Sequence, residues 1–491
     1  MSGIAGMLSQ NNHDIVPQML NKIKHRGSSE HHIWEGANAV LAATGLTNIH
    51  EIPGPVATAT GERAIVLDGR IINSASLRKN LKFHEIVNES DVEIALHAYE
   101  EYGTRVFGRL DGGFALAIVD GDRILLARDR LGICPLYYGF RNESLCFASE
   151  MKALSGTVDK IHEFPPGQFL LSNRGIYPYQ PYFPESVYLD GVHDSAKRLA
   201  EHMQTAVQRT ISSKVEVGVW LSGGVDSSVV AALARPYVDK LHTFSAGIEG
   251  APDLEYARQV ARHIGSDHHE RIYNLDDMLA VVETVIYHLE SFDAPLVHSA
   301  VPNYLVSELA SDHVSYVLSG EGGDELFAGY AYQKDIMGKV ELTISIQEAI
   351  AALHNTALQR VDRSAVAHST GVAVPFLDPD VVRYALAIPA SWKIRGSQQM
   401  EKWPLRQGLS DTLPDEVIWR GKSKFWEGSG SGKMLSEYAS QEIPDDVFEA
   451  ERELGNGQPL HSKEELYYYR IFKKYFGDSV PLDEVGRTQY I

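Results

Sequence analysis

A short apolar strand, Val217 to Leu221, breaks into Ser222-Gly223-Gly224-Val225-Asp226-Ser227-Ser228, and an Ala/Val-rich helical run follows. Adjacent glycines let the backbone turn and aim successive N–H groups at an anion. The helix start adds its dipole and two hydroxyls. The pattern is a phosphate cradle. It is not the Gly-x-x-x-x-Gly-Lys-Ser/Thr loop, because no lysine follows the glycines. An ordinary glycine-rich strand-to-helix turn is the competing reading and explains less of so specific a string. The same design recurs in Leu318-Ser319-Gly320-Glu321-Gly322-Gly323-Asp324-Glu325-Leu326-Phe327-Ala328-Gly329-Tyr330. Asp226 and Asp324 would each end a turn beside the phosphates. Their carboxylates suit Mg2+, which completes its shell with phosphate oxygens and water. Acidic residues at helix starts also serve simply as dipole partners. Their recurrence in two glycine turns at strand ends favours the metal.

These loops need a frame that brings two strand ends together. Apolar strands at Val215–Leu221, Lys240–Gly247, Glu270–Tyr273 and Val314–Ser319 alternate with helical stretches. Such alternation predicts a parallel, doubly wound α/β sheet whose ligands lie beyond the strand carboxyl ends. Up to about residue 185 the pattern differs. Short apolar runs such as Ala64–Leu67, Gly113–Val119 and Ile124–Ala127 are separated by turn residues, which predicts sheet-rich packing. The Pro/Tyr-rich stretch Tyr177–Pro184 reads as a linker, and Ser195–Ser212 has helical spacing. The tract Gly428–Gly432 reads as a mobile lid; with Lys433 it narrowly misses a phosphate loop, since Glu427 stands where the first glycine belongs.

A chain of 491 residues exceeds one ordinary core, so two domains are expected. Its 45 basic and 65 acidic residues give a net charge of −20, which argues against nucleic acid or an anionic membrane as partner. An anionic nucleotide would therefore be held by local cations and Mg2+. The two cysteines, Cys134 and Cys146, have no metal spacing and fit a reducing, cytoplasmic setting. No apolar run is long enough to span a bilayer, and Met1–Met7 lacks the features of a signal peptide.

Ser-Gly-Gly-x-Asp-Ser resembles the pyrophosphate loop of enzymes that transfer AMP from ATP to an oxygen. Together with the second glycine loop and Asp362-Arg363 to Pro375-Phe376-Leu377-Asp378, it looks like the glutamine-dependent asparagine synthetase family. Nearly the whole chain shares the likeness, including Arg128-Asp129-Arg130-Leu131-Gly132 and Phe147-Ala148-Ser149-Glu150-Met151-Lys152. The resemblance implies an Ntn-hydrolase-like αββα sandwich over residues 1–185. It implies an ATP pyrophosphatase domain, of the adenine nucleotide α-hydrolase type, over 195–491. It further implies that Leu221, Ser222, Gly223, Gly224, Asp226, Ser227, Ser245, Gly247 and Gly320 frame ATP, and that Asp226 and Asp324 hold Mg2+. A carboxylate would attack the α-phosphate, giving acyl-AMP and pyrophosphate, and a nitrogen nucleophile would displace AMP. Glu321 matches the family's catalytic glutamate, which manages the nucleophile's proton. Lys422 matches the lysine that neutralises charge on phosphate or the tetrahedral intermediate.

Active relatives begin Met-Cys-Gly-Ile and use the cysteine, freed by loss of Met, to attack glutamine. This chain has Ser2, whose hydroxyl gives far less anion than a thiol at neutral pH. The family's substrate-clamping arginine falls at Gly45, and its Asn-Gly-Glu reads Asp68-Gly69-Arg70, which reverses the charge facing the α-amino end of glutamine. Asp91 remains. Four departures together predict a scaffold without glutaminase chemistry.

The acid pocket departs as well. Many relatives read Asp-Glu-Pro and a further acid where this chain has Asp293-Ala294-Pro295-Leu296-Val297-His298; His298 is read as a satisfied wall histidine ahead of a substrate contact. Glu-x-Arg is replaced by Gly371-Val372-Ala373. Aspartate is therefore the default acid, with ammonia or an amine as the second small-molecule substrate. β-Lactam synthetases also lack the cysteine but carry tyrosine where this chain keeps Glu321. Three functions stay open at this stage: an ammonia-using asparagine-type ligase, a ligase joining another acid and amine, and a silent regulatory homologue. A homodimer is left open too.

Overall fold

The structure is a computed structural model that describes residues 2–8, 14–27, 31–45, 54–88, 90–179, 181, 189, 191–211, 216–421, 433–455, 457–478 and 480–488. Its contacts divide it into two compact units. One is Met1–Pro181 with Lys473–Val485; the other is Tyr182–Phe472 with Gly486–Ile491.

In the first unit the strands are β1 (Ser2–Leu8), β2 (His31–Glu35), β3 (Ala39–Gly45), β4 (Val56–Ala57), β5 (Arg63–Gly69) and β6 (Phe114–Asp120). They continue with β7 (Arg123–Arg128), β8 (Tyr137–Arg141), β9 (Ser144–Ala148), β10 (Ile161–Glu163), β11 (Gln168–Leu171) and β12 (Gly175–Pro178). They form two antiparallel sheets, ordered β10-β8-β9-β1-β3-β2 and β12-β11-β7-β6-β5-β4. Strand side chains alternate between faces. Ala64 and Val66 of β5 thus enter the core between the sheets, with Ile4, Leu41 and Ala117. Ile65 and Leu67 face the other way, against Val92, Ala95 and Ala98 of the helix Asp91–Tyr102. That helix is capped by Ser90 Oγ, which accepts from Glu93 N at 3.1 Å. The helix Ile15–Lys22 covers the other sheet with Val16, Met19 and Leu20. The layers are helix, sheet, sheet, helix. Because both faces of the strands are covered, they read as near-continuous apolar runs.

In the second unit β13 (Val217–Trp220), β14 (His242–Gly247), β15 (Asp267–Ile272), β16 (Tyr316–Leu318) and β17 (Gly371–Ala373) form a fully parallel sheet, ordered β15-β14-β13-β16-β17. The helices Val225–Ala234 and Pro252–Ile264 lie on one face and Leu275–Leu289, Ala294–Ser311 and Ala357–Val366 on the other. The faces are distinguished by neighbours on β15: Glu270 bonds Arg258 of Pro252–Ile264, while His269 stacks on His313 beyond Ala294–Ser311. The chain lays down β13, β14 and β15 in one direction, then crosses back beside β13 for β16. Strand order reverses between β13 and β16, and the two glycine loops follow those two strands.

Three local expectations are corrected. The strand expected at Glu270–Tyr273 runs from Asp267, because main-chain pairing with β14 carries its polar start, Asp-His-His-Glu, into the sheet. Gly371–Ala373, read only for its missing charges, is the edge strand β17. Tyr177 and Pro178, assigned to the linker, pair with Phe169 and Gln168 as the end of β12; residues 182–188 lie outside the described residues.

Candidate active site

The first glycine loop leaves β13 and opens the helix Val225–Ala234 with Gly224 as its N-cap. Gly223 has φ +73°, and a Cβ there would lie 2.6 Å from Asp253 O and 2.8 Å from Ala257 N. Only glycine fits. The cradle's hydroxyls bond one another: Ser222 N donates to Ser227 Oγ at 3.2 Å, Ser222 Oγ lies 3.0 Å from Ser227 Oγ, and Ser227 Oγ donates to Gly224 O at 3.2 Å. Ser245 Oγ donates to Leu221 O, tying β14 to the loop. Gly247 ends β14, where a Cβ would crowd Leu254 at 3.1 Å.

The second loop meets the first. A Cβ on Gly320 would lie 2.7 Å from Ser227 N, and one on Gly323 would lie 2.5 Å from Asp226 Oδ1. Both glycines are therefore conditions of the close approach that brings Asp226 and Asp324 together. The carboxylates converge on one nitrogen, Lys402 Nζ, which is ion-paired to Asp226 and stands 2.6 Å from Asp324 Oδ1. Lys402 adopts φ +58°, a left-handed conformation costing about 1 kcal/mol, and its side chain is 2% exposed. Burial alone would lower its pKa; the Asp226 and Asp324 charges outweigh that and hold it well above the ordinary lysine value. Gly329 completes the arrangement, since a Cβ there would overlap Asp324 Oδ1 and Lys402 Cε.

Glu321 sits beside this group, and Arg360 Nη2, from the helix Ala357–Val366, donates to its Oε2 at 2.5 Å. Glu325 is buried and accepts from the Tyr330 hydroxyl. Burial first, then the Glu321 and Asp324 charges, push Glu325 up to about 7. Arg420 braces the cradle from another segment. It donates to Asp253 Oδ1 at 2.6 Å and Gly223 O at 3.3 Å and lies 3.9 Å over the Tyr256 ring. Buried Arg406 donates to Ile418 O at 2.6 Å, Arg420 O at 2.8 Å and Glu401 Oε1 at 2.6 Å. The segment leading to Lys422 is thereby fixed; Lys422 and Gly428–Gly432 lie outside the described residues. The donor set fits a magnesium nucleotide: two carboxylates and a cation at the switch point, on loops a Cβ would close.

Asp293 and His298 are engaged elsewhere. Asp293 caps the helix Ala294–Ser311, accepting from Leu296 N at 3.2 Å, and accepts from Thr488 N and Oγ1 at 2.9 and 2.6 Å. His298 Nε2 is 2.6 Å from Glu464 Oε1.

In the first unit Ser2 N and Oγ both donate to Asp68 Oδ1, at 2.7 and 3.0 Å. Asp68 Oδ2 accepts from Arg26 Nη2 at 3.2 Å; Arg26 Nη1 donates to Glu150 Oε1 at 2.8 Å and Arg26 Nε to Ser2 O at 2.7 Å. Lys152 and His25 also meet Glu150, the latter at 3.1 Å. Gly45 pairs with Ser2 across β1 and β3. Asp91 Oδ2 accepts from Ile71 N at 2.8 Å.

Lys402, Arg360, Arg420 and Arg26 are the charged neighbours that sequence reading missed. Lys402 lies in Glu401-Lys402-Trp403-Pro404, where no glycine turn marks it. Arg360, two residues before Asp362, and Arg420, two before Lys422, were within reach of a motif.

An antiparallel αββα unit coupled in sequence to an α/β unit with a nucleotide-type crevice defines a two-part synthetase architecture. The asparagine synthase family model matches residues 198–344 and 338–481, and a glutamine amidotransferase domain model matches residues 1–182. A glutamine-hydrolysing asparagine synthetase of Arabidopsis thaliana is 34% identical over 98% of this chain and 88% of its own. A rice homologue is 33% identical over 94% and 82%, and asparagine synthetase B of Escherichia coli K12 is 33% identical over 92% and 86%. The chain belongs to the asparagine synthase family of ATP-dependent, AMP-forming carbon–nitrogen ligases. Among the described residues no helix is long and apolar enough to cross a membrane.

Proposed function

We propose that this protein adenylates the side-chain carboxylate of aspartate and transfers free ammonia to it, forming asparagine without hydrolysing glutamine. The convergence of Asp226 and Asp324 on Lys402 at the switch point carries the reading. Asp226 and Asp324 would hold Mg2+, which neutralises phosphate charge when bound. Backbone N–H groups of 222–227 would orient the triphosphate, and Lys402, with Lys422, would balance the charge that grows as pyrophosphate leaves. ATP supplies the activated α-phosphorus; the aspartate oxygen displaces pyrophosphate from it, and ammonia then displaces AMP from the acyl carbon. Glu321 takes the proton that the attacking nitrogen must lose, with Arg360 fixing its orientation.

The ammonia-only half of the reading rests on Ser2 and its surroundings. A carboxylate such as Asp68 can only accept hydrogen bonds, so it offers nothing to an oxyanion, whereas the amide of the family's asparagine can donate. Here it instead accepts from both donors of Ser2. The test compares nitrogen sources. Ammonium is expected to support asparagine formation, while glutamine supports less than about a tenth as much and releases no glutamate. Glutamate release abolished by Ser2→Ala would overturn it.

One observation favours a second reading, a ligase for a different acid. Neutral β17 runs beside β16, where the family's Glu-x-Arg pair is missing. Turnover with another acid but not aspartate would select it.

A further inference from the structure

At the end of the parallel sheet opposite the glycine loops, His242 opens β14 and Asp267 opens β15, paired in register. Side chains two apart share a strand face, so His242, Phe244, Asp267 and His269 form one patch. His313, in the turn closing the helix Ala294–Ser311, joins it, its ring stacked on that of His269 with centroids 3.9 Å apart. Each of the three histidines brings a ring nitrogen to within 4.8 Å of the other two. His242 Nδ1 is 3.1 Å from His269 Nε2, and Asp267 Oδ2 stands 3.7 and 3.6 Å from those atoms. Bonds of about 2.0–2.1 Å give a zinc tetrahedron edges of about 3.3 Å, so His242, His269 and Asp267 are nearly at ligand spacing and His313 must draw in to join them.

We propose that His242, His269, His313 and Asp267 bind a divalent transition ion of the zinc type in a four-coordinate structural site, clipping the turn before β16 to the adjacent strands β14 and β15. The surroundings suit it. Fully buried Phe244 underlies the three imidazoles at 5.2–6.2 Å and forms an apolar floor. Gly218 makes room for that ring, since a Cβ there would come 2.5 Å from Phe244 Cε2. Lys240 Nζ is 2.7 Å from Asp267 Oδ2 but 64% exposed, so it can turn into water as the ion takes that oxygen. Such a clip anchors the start of β16, the strand that leads into the loop carrying Glu321 and Asp324. Four nitrogen and oxygen donors without thiolate favour zinc-type ions over soft ions such as Cu(I).

The test uses the full-length protein, stripped of metal and titrated with Co2+ and then Zn2+. One equivalent of Co2+ per chain is expected, with the intense visible absorption of a four-coordinate, nitrogen-rich site. Zn2+ should abolish the band and raise the melting temperature by a few degrees. His313→Gln, at a partly exposed turn position, and His269→Gln should each weaken binding by about 100-fold or more while leaving ATP–pyrophosphate exchange unchanged. Asp226→Asn should leave the cobalt band intact. Binding below one equivalent, a weak six-coordinate spectrum, a band that survives His313→Gln, or one lost in Asp226→Asn would each overturn the site.

Discussion

Asp68 in the first unit and Asp226 in the second both sit at the carboxyl ends of apolar strands, and their partners differ. Asp68 is fully buried, accepts from both Ser2 donors, and is closed off behind by Arg26, itself tied to Glu150. The network is complete within the protein. Asp226 shares one ammonium, Lys402, with a second carboxylate across a topological switch point, and glycines at 320, 323 and 329 clear the approach. One arrangement turns polarity inward; the other gathers two carboxylates and an ammonium between two glycine loops. The contrast is the one the proposed function rests on: a scaffold at Ser2 and a reaction site at Asp226 and Asp324.

The largest expected effect follows from breaking the second arrangement. Asp324→Asn or Asp226→Asn should lower substrate-dependent ATP–pyrophosphate exchange by about 1,000-fold or more. Glu321→Gln should keep that exchange and lower amide formation by about 100- to 10,000-fold, which separates adenylation from amine attack. Lys402→Met removes a buried cation and leaves two partly buried carboxylates facing one another. A loss of about 3–5 kcal/mol, read from denaturant unfolding, is expected.

A smaller effect concerns pH. Glu325 has its pKa raised from 4.5 to about 7, by burial first and then by Glu321 and Asp324. Between those two values the folded state holds a proton that the unfolded state has released. Stability should therefore fall as pH rises across that window, by at most about 1.4 kcal/mol per pH unit. Glu325→Gln should flatten the slope, as measured by unfolding midpoints at several pH values. The smallest effect is none at all: Ser2→Cys should add no glutamate release, because Asp68, Gly45 and Arg70 remain. Restoring all four positions to the family pattern is the sharper version, and recovered glutaminase activity is expected from it.

Much of the second unit was legible because its signals are local. A glycine that must adopt φ +73° beside a neighbouring backbone, as Gly223 does, marks itself in sequence. The two loops declared their strands, and strand alternation declared the parallel sheet; the switch point appears only in its strand order. The charges that complete the site come from afar. Lys402 lies 176 residues beyond Asp226, and Arg360 lies 39 beyond Glu321. Lys402 belongs to no periodic or glycine-marked segment, and the helical period around Arg360 says nothing of Glu321, so only folding reveals the pairings. The polar beginning of β15 was missed for a related reason: main-chain pairing sets an edge strand, while its Asp-His-His-Glu side chains carry no apolar period. The return of Lys473–Val485 to the first unit likewise has no local signature.

The central claim is that the crevice between β13 and β16 activates aspartate. The direct measurement is incorporation of labelled pyrophosphate into ATP, with aspartate present and ammonia and glutamine withheld. Exchange that requires aspartate and disappears in Asp324→Asn is predicted. Exchange absent with aspartate, or equal in wild type and Asp324→Asn, would contradict the account.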